Sequence, residues 1–315
     1  MSKEAQLFAP LVIDSEGNPN VVFTPDHPAH GDPEYQAHRN YVAALALGHR
    51  AGDLVPDIAY RPSDHACWKE ISRALRTLQS EYAATEVREA IERFDLPTDH
   101  VPQLSDTSAR LTELTGFRFR PAAGIVPLRE FYGSLADRTF NATQFIRHHS
   151  QPLFSPEPDM VHEVIGHGTT MASSRFAELY QQAGEASRRA TTEESLQLVS
   201  RVFWFTLEYG VLKEAGEHRA YGASLLSAYG ELQNFRRADI RPLDVRAMAT
   251  HRYDVTSYQS VLFAADSLAH LEDFLGDFFS RADTETPARL GLTPASRTAA
   301  PARQTSARRD RAATH

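Results

Sequence analysis

The sequence predicts a mainly α-helical fold with a few short strands. Three observations predict it. Apolar residues recur at spacings of three and four through residues 33–48 and 64–94, the period of a helix with one buried face. Residues 202–212 are almost uniformly apolar, as expected of a helix buried on most sides. Strand-like alternation is confined to short runs such as Phe117, Arg118, Phe119 and Arg120.

Taken in order, residues 7–13 and 21–24 are short β-like runs around Ser15, Gly17 and Pro19, a hairpin or a mobile extension. Helices over 33–48 and 64–94 follow. The second is capped by Ser63 or Asp64 and buries Trp68, Ile71, Leu75, Leu78, Val87, Ala90, Ile91 and Phe94. After the Phe117 strand comes a helix carrying Phe131, Leu135 and Phe140. A short helix over 173–182 is next, and Thr191, Thr192, Glu193 and Glu194 form a capping box that opens the apolar helix. Residues 222–227 read as a loop of small residues that admits a ligand. A strand at 253–256 precedes a helix with Leu268, Leu271, Leu275 and Phe278 on one stripe. From Ala282 onward large apolar residues nearly vanish, so no core can form there. The expected organisation is an extension over 1–26 too short for a regulatory domain, a catalytic domain over 27–281, and a disordered tail over 282–315.

Composition narrows the function. The 315 residues carry a net charge of −8 without a concentrated basic patch, which argues against nucleic acid as a partner. No apolar run approaches a membrane span. The single cysteine, Cys67, excludes an internal disulfide framework and fits a reducing, cytoplasmic compartment; its place on an apolar helix face makes it core rather than nucleophile.

The chemistry concentrates in His162-Glu163-Val164-Ile165-Gly166-His167 and in Glu208. The histidines are five apart, not four as in the HExxH zinc proteases. On a regular helix that leaves them roughly 140° out of alignment, against about 40° for a spacing of four. Both reach one metal only if the helix bends or ends between them, and Gly166 is the expected break. Glu208 is a lone carboxylate in the apolar run, where it costs several kcal/mol unless paired, protonated or bound to a cation. A buried arginine would satisfy it; the two histidines elsewhere in the chain favour a metal. Two histidines and one carboxylate form the facial triad of non-haem Fe(II) oxygenases. A zinc hydrolase is the alternative of a different class.

Around these motifs the chain resembles the pterin-dependent aromatic amino acid hydroxylases. The resemblance rests on HPAHGDPEYQAHR from His27, TGFRFRPAAGIVPLREFYGSLADRTF from Thr115, TQFIRHHSQPLFSPEPDMVHEVIGH from Thr143, FWFTLEYG from Phe203 and AYGASLLSAYGELQ from Ala220. These segments stand in the family's order over residues 27–280. The resemblance implies the family's catalytic-domain fold, with Fe(II) on His162, His167 and Glu208 and a tetrahydropterin such as tetrahydrobiopterin against Phe131. Main-chain groups of Gly124, Ile125 and Val126 would meet the pterin edge, and Glu163 would bond the cofactor. Dioxygen would be the co-substrate.

The substrate implied is a free aromatic amino acid. Arg147 would grip its carboxylate with two parallel bonds, assisted by Ser155 and Ser227. Pro158, His162, Trp204 and Val255 would enclose the ring. The resemblance implies valine at the Val255 position in phenylalanine hydroxylases, aspartate in tyrosine hydroxylases and isoleucine in tryptophan hydroxylases. L-phenylalanine hydroxylated to L-tyrosine is therefore expected, with tryptophan hydroxylation or meta-hydroxylation of phenylalanine as alternatives. Arg39 is expected to pair with Glu157, and His148 and His149 to be surface or structural. Lacking the family's tetramerising helix, the chain is expected as a monomer or weak homodimer. Phe203, Ser155, Asn141 and the Gly168-Thr169 pair depart from the family pattern, the last placed to alter the pocket wall.

Overall fold

A computed structural model of the protein describes residues 9–254 and 257–292. Strands β1 (Leu11–Ile13) and β2 (Pro19–Val21) pair antiparallel with Leu11 opposite Val21, so the extension does form a hairpin. It packs on α1 (Pro33–Gly48), which Asp32 caps by accepting the Tyr35 N–H at 2.9 Å.

The long helical pattern that follows divides into α2 (Pro62–Tyr82) and α3 (Thr85–Phe94). The division is a tertiary effect: Ala84 donates its N–H to the carbonyl of Ala220, far along the chain, at 2.9 Å. Helix α2 starts earlier than expected, with Asp64 in its first turn accepting the Arg61 N–H at 2.9 Å. The expected apolar stripe is buried apart from half-buried Ile91, and the Trp68 indole donates to the Pro97 carbonyl at 2.8 Å. Cys67 is buried and its thiol is pushed up to about 12 by burial, which confirms a packing role.

Beyond α4 (Leu104–Thr115), strand β3 (Arg118–Pro121) runs parallel to β4 (Thr139–Ala142), with α5 (Leu128–Leu135) crossing between them. Phe140 thus sits on a strand, not on the helix expected for it. A π-helix over Val161–Gly168 continues into α6 (Thr169–Met171) and α7 (Ser174–Arg189), the latter longer than the sequence indicated. Thr192 caps α8 (Glu193–Phe203), accepting from Ser195 N–H while the Ser195 hydroxyl accepts from Thr192 N–H. Helix α8 passes into a second π-helical turn, Trp204–Glu208, where Tyr209 donates five residues back to Trp204.

The apolar run ends there as helix, because its last residues open β5 (Val211–Glu214). With β6 (Glu217–Ala220), β7 (Asp239–Pro242) and β8 (Val261–Ala265) it makes a sheet in the order β6-β5-β8-β7, antiparallel at β5–β6 and parallel elsewhere. The loop expected over 222–227 is instead a buried helix, α9 (Ala223–Ser227), followed by α10 (Tyr229–Asn234). Helices α11 (Val245–Thr250), α12 (Leu268–Arg281) and α13 (Thr286–Arg289) complete the described chain. Order extends past the expected boundary at 281, since Leu290 and Leu292 pack against the core. Residues 293–315 of the expected tail lie outside the described residues, as does Val255. No described helix is long and apolar enough to cross a membrane.

Candidate metal centre and cofactor cavity

His162 and His167 share one continuous helix, and no break separates them. The π winding closes i→i+5 hydrogen bonds, so residues five apart lie one turn above each other. Gly166 has a different task from the expected one. A Cβ there would stand 2.6 Å from the Ala223 carbonyl oxygen, so the missing side chain lets α9 press against the π-helix.

The second π turn brings Glu208 to the same point. His162 Nε2 and His167 Nε2 are 3.0 Å apart, and Glu208 Oε1 is 3.1 Å from His167 Nε2. Glu208 Oε2 lies 3.9 Å from His162 Nε2. Ligands at about 2.1 Å from one ion, at right angles, stand about 3 Å apart. The separations of 3.0 and 3.1 Å match two edges of one octahedral face; the Glu208–His162 edge, at 3.9 Å, is longer, and the three side chains converge on one point.

Each ligand is held from behind. His167 Nδ1 meets the Tyr180 hydroxyl at 2.8 Å, and Tyr180 bonds Thr170 at 3.0 Å. His162 Nδ1 meets Ser227 Oγ at 3.2 Å; that hydroxyl donates to the Ala223 carbonyl at 2.8 Å and so accepts from the ring. Ser224 donates to Glu208 Oε2 at 2.7 Å. These partners hold the rings with Nδ1 protonated and the Nε2 lone pairs converging, the usual second shell of a metal site. Burial, reinforced by His167, pushes His162 down to about 4, which keeps it neutral and ready to ligate. Burial alone would raise Glu208, but His167 and then His162 and Ser224 hold it well below the usual carboxylate range.

A cavity of about 560 Å³ has Gly124, Ile125, Val126, Asn141, Thr143 and Pro158 among its walls; none of the three ligands lines it, and Thr143 connects it to Glu163 beside them. Glu163 backs it: Oε1 faces the Thr143 N–H and hydroxyl at 3.4 Å, while Oε2 is buried without a partner. Burial raises the Glu163 carboxyl well above the usual range, which favours its protonated, donating form. A flat, polar-edged heterocycle fits such a wall. Phe131 does not line the cavity. Its ring is 2% exposed and packs edge-on against Tyr132, Phe140 and Phe203, with centroids 5.1, 5.3 and 6.5 Å away. It supports the wall from behind.

The substrate residues expected from sequence are arranged differently. Arg147 is buried, with Nε and Nη2 on Asp159 at 2.9 and 2.8 Å. That fork is occupied, and on the far edge Nη1 donates to the Pro152 carbonyl at 3.4 Å. Ser227 orients His162, and Ser155 donates to the Glu157 carbonyl at 2.5 Å. Trp204 stacks on Tyr253 at 4.6 Å and has a buried indole nitrogen with no partner among the described residues. Arg39 pairs with Glu157 at 2.5 and 3.3 Å, as expected. Gly168 faces away from the site, where a Cβ would meet Phe94 at 2.9 Å, so its departure from the family pattern serves core packing and not the pocket wall. Tyr180, Ser224 and Asp159 were not singled out from the sequence. Only the i, i+3 spacing of Ser224 and Ser227 hinted that one helix presents both hydroxyls.

The family model described as biopterin-dependent aromatic amino acid hydroxylase matches residues 16–294. The chain belongs to that family. It is a monooxygenase, an oxidoreductase of the iron- and pterin-dependent type. A phenylalanine 3-hydroxylase of Streptomyces coeruleorubidus is 44% identical over 259 residues, covering 82% of this chain and 93% of that protein. Human tyrosine 3-monooxygenase is 42% identical over 262 residues, 81% of this chain but 49% of that protein. This hydroxylase therefore spans about half the length of the human relative. Among solved structures, Chromobacterium violaceum phenylalanine hydroxylase with bound oxidised Fe(III) aligns with a TM-score of 0.70 at 25% identity, covering 81% of this chain and 93% of that one.

Proposed function

We propose that this hydroxylase places one oxygen atom of O2 on the ring of free L-phenylalanine, with Fe(II) on His162, His167 and Glu208 and tetrahydrobiopterin or a related tetrahydropterin in the adjoining cavity. The observation that carries the reading is the convergence of three side chains whose nearest donor atoms are 3.0–3.9 Å apart, each with its own partner behind it. Iron and tetrahydropterin, when bound, supply the reduction of oxygen that side chains cannot.

The chain's own groups position and shield. Neutral His162, with His167 beside it, offers its Nε2 lone pair. Protonated Glu163 donates toward the cavity that Gly124, Ile125 and Val126 border. The Nη1 edge of Arg147 receives the amino acid carboxylate in place of its long bond to the Pro152 carbonyl, with Asp159 fixing its orientation. Pro158 and Trp204 enclose the ring. The apolar Val255, read from the sequence, leaves a phenolic hydroxyl without a partner and supports phenylalanine over tyrosine.

For the ring position, likeness to the Streptomyces coeruleorubidus phenylalanine 3-hydroxylase over nearly its whole length supports the meta carbon. Hydroxylation to L-tyrosine is the second reading, supported by the valine. The deciding experiment reconstitutes the protein anaerobically with Fe(II), then adds oxygen, tetrahydrobiopterin and each aromatic amino acid. Chromatography against ortho-, meta- and para-tyrosine identifies the product. Zinc as the active metal, without pterin-dependent oxygen uptake, would end this reading in favour of a hydrolase.

A further inference from the structure

We propose that the chain carries a second divalent-cation site, formed by Asp32 Oδ2, His148 Nε2 and a ring nitrogen of His149, suited to zinc or a similar borderline ion. The three donors lie within 4.8 Å of one another and share no residue with the centre at His162. One carboxylate and two imidazoles form a donor set that zinc accepts, with remaining positions left to water.

Two of the donors are already oriented by other bonds. Asp32 spends Oδ1 on the Tyr35 N–H at 2.9 Å, which leaves Oδ2 facing His148 Nε2 at 3.1 Å. His148 is held on its other side by Ser150 Oγ, 2.7 Å from Nδ1, and by the edge of the Tyr35 ring, whose centroid is 5.0 Å away. The His149 ring lies beside that of His148 with centroids 4.4 Å apart. His148 is buried, Asp32 is half-buried and His149 is exposed, so the group has a fixed floor and an open face for entry.

Without an ion, Nδ1 accepts the Ser150 N–H at 3.3 Å and Nε2 donates its proton to Asp32 Oδ2. The ion takes the place of that proton, which moves to Nδ1 and is donated to Ser150 Oγ, the usual outer partner of a ligating histidine. The site joins the N-terminus of α1 to the segment that follows Arg147.

The test is equilibrium dialysis of the whole chain against low-micromolar Zn²⁺, with bound metal counted by mass spectrometry. Two ions per chain are expected, falling to one in Asp32→Asn or His149→Ala and to one, by loss of the other ion, in His162→Ala. Asparagine keeps the helix cap, so Asp32→Asn removes the charge and not the fold. Paramagnetic resonance with Cu²⁺ should show two signals, one lost in His149→Ala. A single ion unaffected by His149→Ala, or a second ion surviving both changes, overturns the site. Loss of an ion in His149→Ala with none lost in His162→Ala would instead count against the iron centre.

Discussion

Gly166 and Ala223 approach so closely that a methyl group on the first would stand 2.6 Å from the carbonyl oxygen of the second. This contact seats α9 on the π-helix and delivers Ser224 and Ser227 to the metal ligands. Gly166→Ala is expected to push α9 outward, costing about 1–3 kcal/mol of stability and at least tenfold in metal affinity. Urea unfolding and competition with a chromophoric chelator measure the two. Affinity at the wild-type level would mean that α9 does not position the ligands.

Tyr180→Phe isolates one outer partner. The ring still fits its edge-on contacts with His167 and Phe203, at 5.8 and 5.4 Å, but the hydroxyl 2.8 Å from His167 Nδ1 is gone. Metal affinity should fall about 10- to 100-fold with the fold retained by circular dichroism. A change within twofold would remove Tyr180 from the orienting set.

Arg39 lies over the Phe145 ring at 3.3 Å and holds the buried Glu157, which His27 also meets at 3.3 Å. Arg39→Ala strands that carboxylate and should cost about 3–5 kcal/mol. Replacing both partners, Arg39→Met with Glu157→Gln, should recover most of the loss, since no charge is left unpaired. Denaturant midpoints of the two variants make the comparison; equal losses would show that the pair's charge is irrelevant.

Glu231 gives a pH signature. Burial raises its carboxyl to about 7 from an ordinary 4.5, although Gln259 donates its N–H at 2.6 Å. The folded chain holds a proton that the unfolded chain releases. The stabilisation is therefore full below pH 4.5 and is lost as pH rises through 7, by about 3 kcal/mol in all. Glu231→Gln should flatten stability between pH 5 and 8 relative to wild type. Parallel pH profiles for the two proteins would contradict this assignment.

Legibility followed locality. Helix α1 could be read from the sequence to its ends because its period, proline start and capping aspartate are all local. The β6-β5-β8-β7 sheet could not. Val261–Ala265 is buried on both faces and has no alternation to read, and Val211 continues an apolar run that begins as helix. Helix α9 hid behind small residues that resemble a loop.

The sequence by itself determined the donor types, two imidazoles and one carboxylate, because which atoms can bind a metal is a property of the side chains alone. It also determined the family, through long ordered segments. Only the tertiary structure decided how those atoms meet: π winding aligned the histidines, Ser227 was turned toward His162, and the Arg147 fork was spent on Asp159. Direction is set by packing between distant segments, and no local pattern encodes that.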